Sequence, residues 1–482
     1  MSVFTDKRVF GIKRKNASGL STAGQVCAND VILWVIFLLP VNIVLHGAGQ
    51  CFVSIGLFVG NVIGWIFLSK RMNSYVEISK KKIHNAPELF AARYDSWVLK
   101  DLVSVIWIIT LGLILVSVLK VIVSVAAYFM DMDETVWMAI IVVFLVLATI
   151  LIDNRLMGVI KTTVFILVII ACFALIGLVF YRMDVWEILD NYRRARLTGG
   201  TSTYLNIMYL DGKPINIGSA VSMMGVGLGC IAMPLMYKGV INIQNVKELD
   251  AGRIWAIVFE GFTIISSCAL ALLVVPVLYP TRISAHMNSF QVYSLMLKKL
   301  LGDSRYAHTA RLAVLMIFIL AVVVMLESFM RNICEHIRGL IPSMTNAGRG
   351  IKLSIDIAVV VITGGIIFIF GTFVEYDREL MIACSWGLCT VALAAPLMMS
   401  LMYRHSTKAG MYAGIFSGIA TFFVWNYVPV LHSGSLKEYF DLSGDVAGFV
   451  VSFLCTVLVS KCTQENDQSE LKDFDRMAED QK

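Results

Sequence analysis

The stretch Gln25-Val26-Cys27-Ala28-Asn29-Asp30, with Pro40 downstream, interrupts an apolar run with polar side chains. Another apolar run is interrupted by Gly225-Val226-Gly227-Leu228-Gly229, with Pro234 downstream. Where a helix breaks inside a membrane, its freed backbone groups and helix ends can hold ions and polar solutes. The two interrupted runs are five apolar segments apart, which is the separation that two inverted five-helix repeats require.

The rest of the chain is similarly apolar. Of its 482 residues, 58% are hydrophobic and only 15% are charged, whereas a soluble domain has about 25% charged residues. The apolar blocks are close to the roughly 20 residues that a helix needs to cross a bilayer. We therefore predict an all-α polytopic membrane protein with about twelve spans. They begin near Ala23, Phe52, Leu102, Thr135, Leu156, Ile215, Ile254, Leu312, Leu353, Leu380, Gly410 and Val446.

Basic residues predict how these spans are oriented. The basic segment 1–21 leads into the first span without a small-residue cleavage site, so we expect no cleavable signal peptide. With the N-terminus in the cytoplasm, most of the 40 Lys and Arg residues fall in cytoplasmic segments, as the positive-inside rule requires. We predict a multi-pass protein of the plasma or inner cell membrane with both termini cytoplasmic. The net charge of +6 then reflects the membrane topology and does not indicate nucleic-acid binding. We expect the lipid bilayer to be a partner of the protein.

The reactive side chains form no catalytic or metal-binding pattern. Ten cysteines are scattered mostly inside apolar runs without a C-x-x-C pair, which indicates packing positions and neither disulfides nor a metal site. The seven histidines form no metal set and no nucleophile pair with serine. We predict that the protein is not an enzyme and that it carries no cofactor.

The spans predict four regions. Segment 1–21 is the basic cytoplasmic N-terminus, 22–402 is a transporter core of ten helices, 403–460 adds two C-terminal helices, and 461–482 is a polar cytoplasmic tail that we expect to be disordered. Between spans, Ser289 to Leu301 alternates apolar and polar residues at helical spacing. This segment is either an outer lid or a surface helix packed on the membrane face.

Asp30 is the most informative single residue. It lies roughly 12 Å into the bilayer, where a carboxylate costs about 2.5–3.5 kcal/mol on insertion scales. That cost is offset either by a functional or gating role or by a structural ion pair or hydrogen-bonded cap. The glycines of the other interrupted run either belong to a functional break in the helix or simply allow close helix packing, and the sequence favours neither interpretation.

Taken in order and spacing, several motifs resemble the solute:sodium symporter family. They are Ala28-Asn29-Asp30 with Trp34, the segment Pro87-Glu88-Leu89-Phe90-Ala91-Ala92-Arg93-Tyr94, Gly227-Leu228-Gly229 with Pro234, and Gly410-Met411-Tyr412-Ala413-Gly414 with Gly418 and Trp425. The resemblance implies a leucine-transporter-like 5+5 inverted-repeat fold with the solute site between the first and sixth spans. It also implies that the helix which usually precedes the family's core is absent here.

The family's sodium site is altered in this sequence. The resemblance implies that the backbone carbonyls of Ala28 and Val31 remain, but that Met325 and Leu326 stand where the family has hydroxyls, with Val322 in the same region of that helix. Sulfur and methyl groups hold a dehydrated hard cation poorly. Sodium coupling, proton coupling and the absence of ion coupling all remain open.

Lys161 is a second departure, since it stands where the family has an aspartate near the inner sodium exit. One hypothesis is that Lys161 replaces the ion, pairing with Asp30 in some states; a buried lysine can also titrate. The alternative is that Lys161 extends to the lipid headgroups. Glu260 and Glu327 are further carboxylates within spans, and Glu327 faces Arg331 at i+4, which predicts an ion pair.

The candidate solute and gating residues follow from the two interrupted spans. They are Asn29, Asp30, Val226, Gly227, Gly229 and Cys230. Val226 and Cys230 replace aromatic positions of the proline carriers, which disfavours proline as the solute and favours a different or more apolar one. The leading interpretation is symport of a small organic solute by alternating access. The alternative is a transporter-like solute sensor without net transport; the solute and the oligomeric state are left open.

Overall fold

The computed structural model describes residues 17–478, with gaps at 80–82, 131, 196, 198, 244, 282, 285–286, 342–348, 432–433 and 464–473. Within the described residues, nine helices are long and apolar enough to cross a membrane, and two bent helix pairs bring the number to eleven. A further helix of 20 residues, Lys408–Tyr427, packs along Gly444–Cys462. With that helix included, each of the twelve predicted spans corresponds to one helix or bent pair.

We number these elements as spans 1 to 12. Span 1 is Gly19–Asp30 with Leu33–His46, span 2 is Ala48–Ile78, span 3 is Trp97–Met130, span 4 is Glu134–Leu151, span 5 is Asn154–Arg182, span 6 is Ile217–Ala232 with Pro234–Ile241, span 7 is Val246–Leu278, span 8 is Arg305–Leu340, span 9 is Arg349–Phe373, span 10 is Arg378–Met402, span 11 is Lys408–Tyr427 and span 12 is Gly444–Cys462.

Short elements connect the spans. The helices are Ala86–Tyr94, Val185–Arg194, Thr201–Tyr204, Ser289–Leu301 and Leu436–Phe440, and the strands form two hairpins, Tyr209–Leu210 with Lys213–Pro214 and Pro429–Leu431 with Gly434–Ser435. The helix predicted at Ser289 to Leu301 has the expected bounds. Its Ser289 hydroxyl donates to the Phe37 carbonyl of span 1 over 2.6 Å, so the helix is fastened to the C-terminal half of that span.

Exposure separates inner from outer spans. The apolar stretches of spans 3 and 10 are 67% and 72% buried, whereas that of span 4 is only 33% buried. On span 4 the exposed apolar side chains recur at helical spacing, which in water would be a large unfavourable surface and in a bilayer faces lipid. These side chains are Val136, Ile140, Val143, Phe144, Leu147 and Leu151.

Spans 1 and 6 are both bent, as predicted, by 42° and 41°. In span 1 the bend lies between Asp30 and Leu33, and it is followed by π-helical turns at Leu33–Leu38, shortly before Pro40, which cannot donate to the preceding turn. In span 6 the helix ends at Gly225, resumes at Leu228 and bends at Met233, whose extended backbone precedes Pro234. The main bend of span 6 therefore lies at the proline and not within the glycine-rich turn.

The C-terminal tail is partly ordered. Residues 1–16 and 464–473 lie outside the described residues, but 474–478 form a helical turn in which Phe474 and Met477 are buried. Arg404 holds Asp475 through two hydrogen bonds of 2.6 and 2.7 Å, which lower the pKa of that carboxyl. The Arg93 guanidinium lies 4.3 Å from the centre of the Phe474 ring. The prediction of a disordered tail is wrong for this segment, because two apolar side chains at i and i+3 find a buried surface.

Candidate functional site

An ion-pair cluster joins spans 5 and 8. The Lys161 ammonium lies 3.1 Å from one oxygen of Glu327, and the Arg331 guanidinium lies 2.6 and 2.7 Å from the other. Arg331 also donates to the Ile152 carbonyl over 3.2 Å. The side chains of Lys161, Glu327 and Arg331 are 10%, 1% and 4% exposed. Lys161 therefore neither reaches the headgroups nor pairs with Asp30 in this structure, and the ion pair predicted between Glu327 and Arg331 is present.

The predicted equivalents of the sodium site are buried and apolar. Val322, Met325 and Leu326 of span 8 are sealed in the core, as are Ala28 and Val31 of span 1. The side chains of these five residues carry no oxygen. The hydroxyl of Ser328, which follows Glu327, donates instead to the Val324 carbonyl of its own helix over 3.1 Å. These five side chains would offer a cation no oxygen, so any ligands among these residues would be backbone carbonyls.

Asp30 lies at the end of the first half of span 1 and is 1% exposed. Neither of its carboxyl oxygens has a hydrogen-bond partner among the described residues, and the side-chain oxygen of the neighbouring Asn29 has none either. The structural explanations for Asp30 required an ion-pair or hydrogen-bond partner. The part of the chain described here provides no such partner in this conformation.

The carbonyl groups released by the breaks in span 6 are held by other side chains. The indole of Trp386 in span 10 donates to the Val226 carbonyl over 2.8 Å, and that of Trp107 in span 3 donates to the Ala232 carbonyl over 2.9 Å. Neither tryptophan was predicted, because an apolar run gives no signal of which indole will meet a broken helix. These contacts fasten span 6 to spans 3 and 10.

The predicted glycines serve close packing in this conformation. A Cβ on Gly227 would strike the Gly56 carbonyl of span 2, and a Cβ on Gly229 would strike the Trp386 ring. Trp386 in turn packs edge-to-face on Trp34 of span 1, with ring centroids 5.3 Å apart. Cys230 is buried beside this contact region, and Val226 is half-buried. The centre between spans 1, 6 and 10 is thus closed by side chains.

A second carboxyl group lies on span 7, where that span packs against span 1. Glu260 of span 7 is 1% exposed and accepts a hydrogen bond of 2.8 Å from the amide of Asn61 in span 2. The thiol of Cys27, one turn before Asp30, donates to the carbonyl of Ala256, one turn before Glu260, over 3.6 Å, so spans 1 and 7 touch beside these two carboxyl groups. The sequence identified Glu260 as an intramembrane carboxylate but missed Asn61, whose only signal is a single amide within the apolar run of span 2.

Comparisons with known proteins agree with this architecture. No protein-family model matches the sequence. The sodium/proline symporter of Staphylococcus aureus strain Newman is 24% identical over 480 residues, covering 94% of this chain and 88% of the relative. The same symporter from strain JH9 is also 24% identical over 480 residues, with the same coverage of both chains.

Two solved structures share the fold. A Na⁺-coupled sialic acid symporter in a substrate-bound, outward-open state has a TM-score of 0.70 at 14% identity, covering 93% of this chain and 90% of that one. A nucleobase-cation-symport-1 family transporter, closed around bromovinylhydantoin, has a TM-score of 0.52 at 11% identity, covering 96% and 97%. The predicted leucine-transporter-like 5+5 inverted repeat is confirmed. Over nearly its whole length the chain is similar to sodium-coupled symporters, as its motifs resembling the solute:sodium symporter family predict.

Proposed function

We propose that this protein is a secondary transporter which moves a small organic solute by alternating access around spans 1 and 6, and that sodium does not drive it. The observation that carries the second part is the cluster of Lys161, Glu327 and Arg331. Its fixed ammonium group lies where the resemblance implies the path of the ion. The relatives supply the transport class, since they are named as sodium-coupled symporters.

A sodium ion would gain little stabilisation beside Met325 and Leu326. A hard cation gives up its water only for several well-placed oxygens. Met325, Leu326 and Val322 offer none from their side chains, and the buried ammonium of Lys161 repels a second cation across a medium of low dielectric constant. The Lys161 ammonium beside Glu327 supplies a positive charge at this helix contact without any bound ion.

Together with this function we propose the membrane topology and the division into regions that the sequence predicts. The protein lies in the plasma or inner membrane with both termini cytoplasmic, residues 22–402 form the transport core, and 403–460 form two additional helices. With that orientation the tail contact between Arg404 and Asp475 faces the cytoplasm. Accessibility labelling of single cysteines placed at Arg404 and at Tyr306, which is 88% exposed at the start of span 8, tests the orientation.

Uptake by purified protein in liposomes tests the function. A panel of radiolabelled amino acids, sugars, sialic acid, nucleobases and carboxylates, including proline, is offered with external sodium and with sodium replaced by choline. We expect at least one compound to accumulate, at the same initial rate in both media. Uptake that collapses in choline would overturn the sodium-free proposal, and binding of a panel compound without uptake would favour the sensor alternative.

A further inference from the structure

Resting on the proposed transporter function, we propose that Glu260, together with Asn61 and Asp30, forms a proton-binding site where spans 1, 2 and 7 meet, and that solute movement is coupled to this proton. The site is separate from the Lys161 cluster, which lies on spans 5 and 8. Its residues come from three different spans, one of which is bent.

The burial of the two carboxyl groups is the first step. Asp30 and Glu260 are each 1% exposed, so both are shielded from bulk water in this conformation. An ionised carboxylate removed from water costs many kcal/mol unless a cation or several hydrogen bonds compensate it. Glu260 has one amide donor, and Asp30 has no partner among the described residues. Two ionised carboxylates with a single amide donor between them cannot both persist in this buried region, so the pair must bind a positive charge.

The surrounding charges give the second step. The thiol of Cys27 joins spans 1 and 7 beside the two carboxyl groups, since it donates to the Ala256 carbonyl over 3.6 Å, and Cys230 of span 6 is likewise a buried thiol. Span 5 packs on span 7 at this level through Phe165 and Phe259, whose ring centroids are 5.9 Å apart. Within the residues that the structure describes, no Lys, Arg or His forms an ion pair with Asp30 or Glu260.

The neighbour of Glu260 is an asparagine, whose side-chain amide can both donate and accept a hydrogen bond. The Asn61 amide donates to Glu260 when that group is ionised, and its carbonyl oxygen has no partner among the described residues. If Glu260 is protonated, a rotated Asn61 amide can accept the carboxyl O–H instead. A lysine or arginine would hold Glu260 permanently ionised. Asn61 can pair with both protonation states, as a site that binds and releases a proton requires.

The position of the pair gives the fourth step. Asp30 ends the first half of span 1, just before the 42° bend, and Cys230 lies in span 6 before its own bend. Glu260 is in span 7, which is continuous from Val246 to Leu278. A change in the bend of span 1 would move Asp30 relative to Glu260 and admit water. Proton release would then follow the conformational change that releases the solute.

Infrared spectroscopy of the purified full-length protein tests the site without any solute. At neutral pH we expect a carbonyl stretch of a protonated carboxyl group, reduced in Glu260→Gln and in Asp30→Asn. The matched control is Glu335→Gln, because Glu335 is paired with Lys238 at 2.7 Å and should contribute no such band. Absence of the band in the natural protein overturns the proposal even if the variants fail to fold. Loss of the band on adding sodium chloride but not choline chloride would instead indicate a sodium site.

Transport in liposomes separates this proposal from the proposed function. At one proton per solute, a pH difference of one unit supports about tenfold accumulation. With a transported panel compound, we expect Glu260→Gln to lose this accumulation but to keep solute exchange between the two sides at zero gradient. Accumulation retained by Glu260→Gln overturns the proton site alone, whereas the natural protein failing to move any panel compound overturns the transporter function.

Discussion

Replacing Glu327 by glutamine is expected to lower the free energy of unfolding by about 3–5 kcal/mol, the loss seen when one member of a buried ion pair is removed. Glu327 is the carboxylate shared by two buried cations, Lys161 and Arg331. Without it, two positive charges remain side by side in a region of low dielectric constant. We expect a lower melting temperature in detergent, a smaller folded fraction on gel filtration and no transport of any panel compound.

Lys161→Met provides the internal comparison. It leaves Glu327 with its two short contacts to Arg331 and removes the excess positive charge, so the loss of stability should be clearly smaller than that of Glu327→Gln. Glu335→Gln is the external control, because Lys238 and Glu335 form a one-to-one pair whose side chains are 18% and 9% exposed. If Glu327→Gln melts at the same temperature as these two variants, the three charges do not act as one unit.

The Lys161→Met variant also tests the sodium dependence of transport. Lys161→Met removes the ammonium but supplies no oxygen, and the side chains of Met325 and Leu326 are unchanged. We therefore do not expect this variant to acquire sodium dependence. A sodium-dependent uptake rate in Lys161→Met would show that the carbonyls of Ala28 and Val31 suffice for ion binding, and would refute the argument that this sodium site is dismantled.

The fold was largely predictable from the sequence, because membrane spans are recognised by length and apolarity, which are local properties. All twelve predicted starts lie within eight residues of the observed helix starts, and the largest differences, at Ile254 and Leu312, arise where polar turns extend spans 7 and 8. The interruption predicted in span 6 comprised both the glycine-rich stretch and Pro234, and the main bend lies at Pro234. The ordered part of the tail was missed because burial of Phe474 depends on a surface made by distant residues.

The site was less predictable, because its chemistry lies in pairings between spans. The sequence paired Glu327 with Arg331 through helical spacing, but spacing along one helix could not show that Lys161 of span 5 would be the third member. The hypothesis of a Lys161–Asp30 pair is not realised in this structure, where Lys161 is held by Glu327. The partnership of Glu260 with Asn61 and the indole contacts of Trp107 and Trp386 likewise depend on helix packing that no local pattern encodes.

Replacing Gly227 by valine is expected to have the other large effect. The backbones of spans 2 and 6 touch at this point: a Cβ on Gly60 would strike the Gly227 carbonyl, and a Cβ on Gly227 would strike that of Gly56. Backbone atoms cannot rotate away as a side chain can, so the two spans must separate. Overpacking of a core costs about 1–3 kcal/mol and occasionally more, and a branched side chain against backbone belongs at the upper end.

The matched controls are glycines in the same kind of helix with open space around them. A Cβ on Gly112 of span 3 or Gly177 of span 5 would meet nothing within 4 Å. Alanine at these positions should be neutral or stabilising by roughly 0.5–1 kcal/mol, because glycine is the weaker helix former. Gly60→Ala and Gly227→Ala should both lower the melting temperature in detergent, and Gly227→Val should lower it further.

Transport measurements show whether the contact between spans 2 and 6 persists throughout the transport cycle or opens during it. If spans 2 and 6 stay in contact throughout the cycle, Gly60→Ala should reduce stability and uptake together, and restoring stability with lipid should restore uptake. If span 6 leaves span 2 when the site opens, Gly60→Ala destabilises only the closed conformation, and it should raise the labelling rate of a cysteine placed at Val226 while uptake falls. A variant with unchanged melting temperature and unchanged uptake would show that the contact between the two backbones is absent from the protein in its membrane.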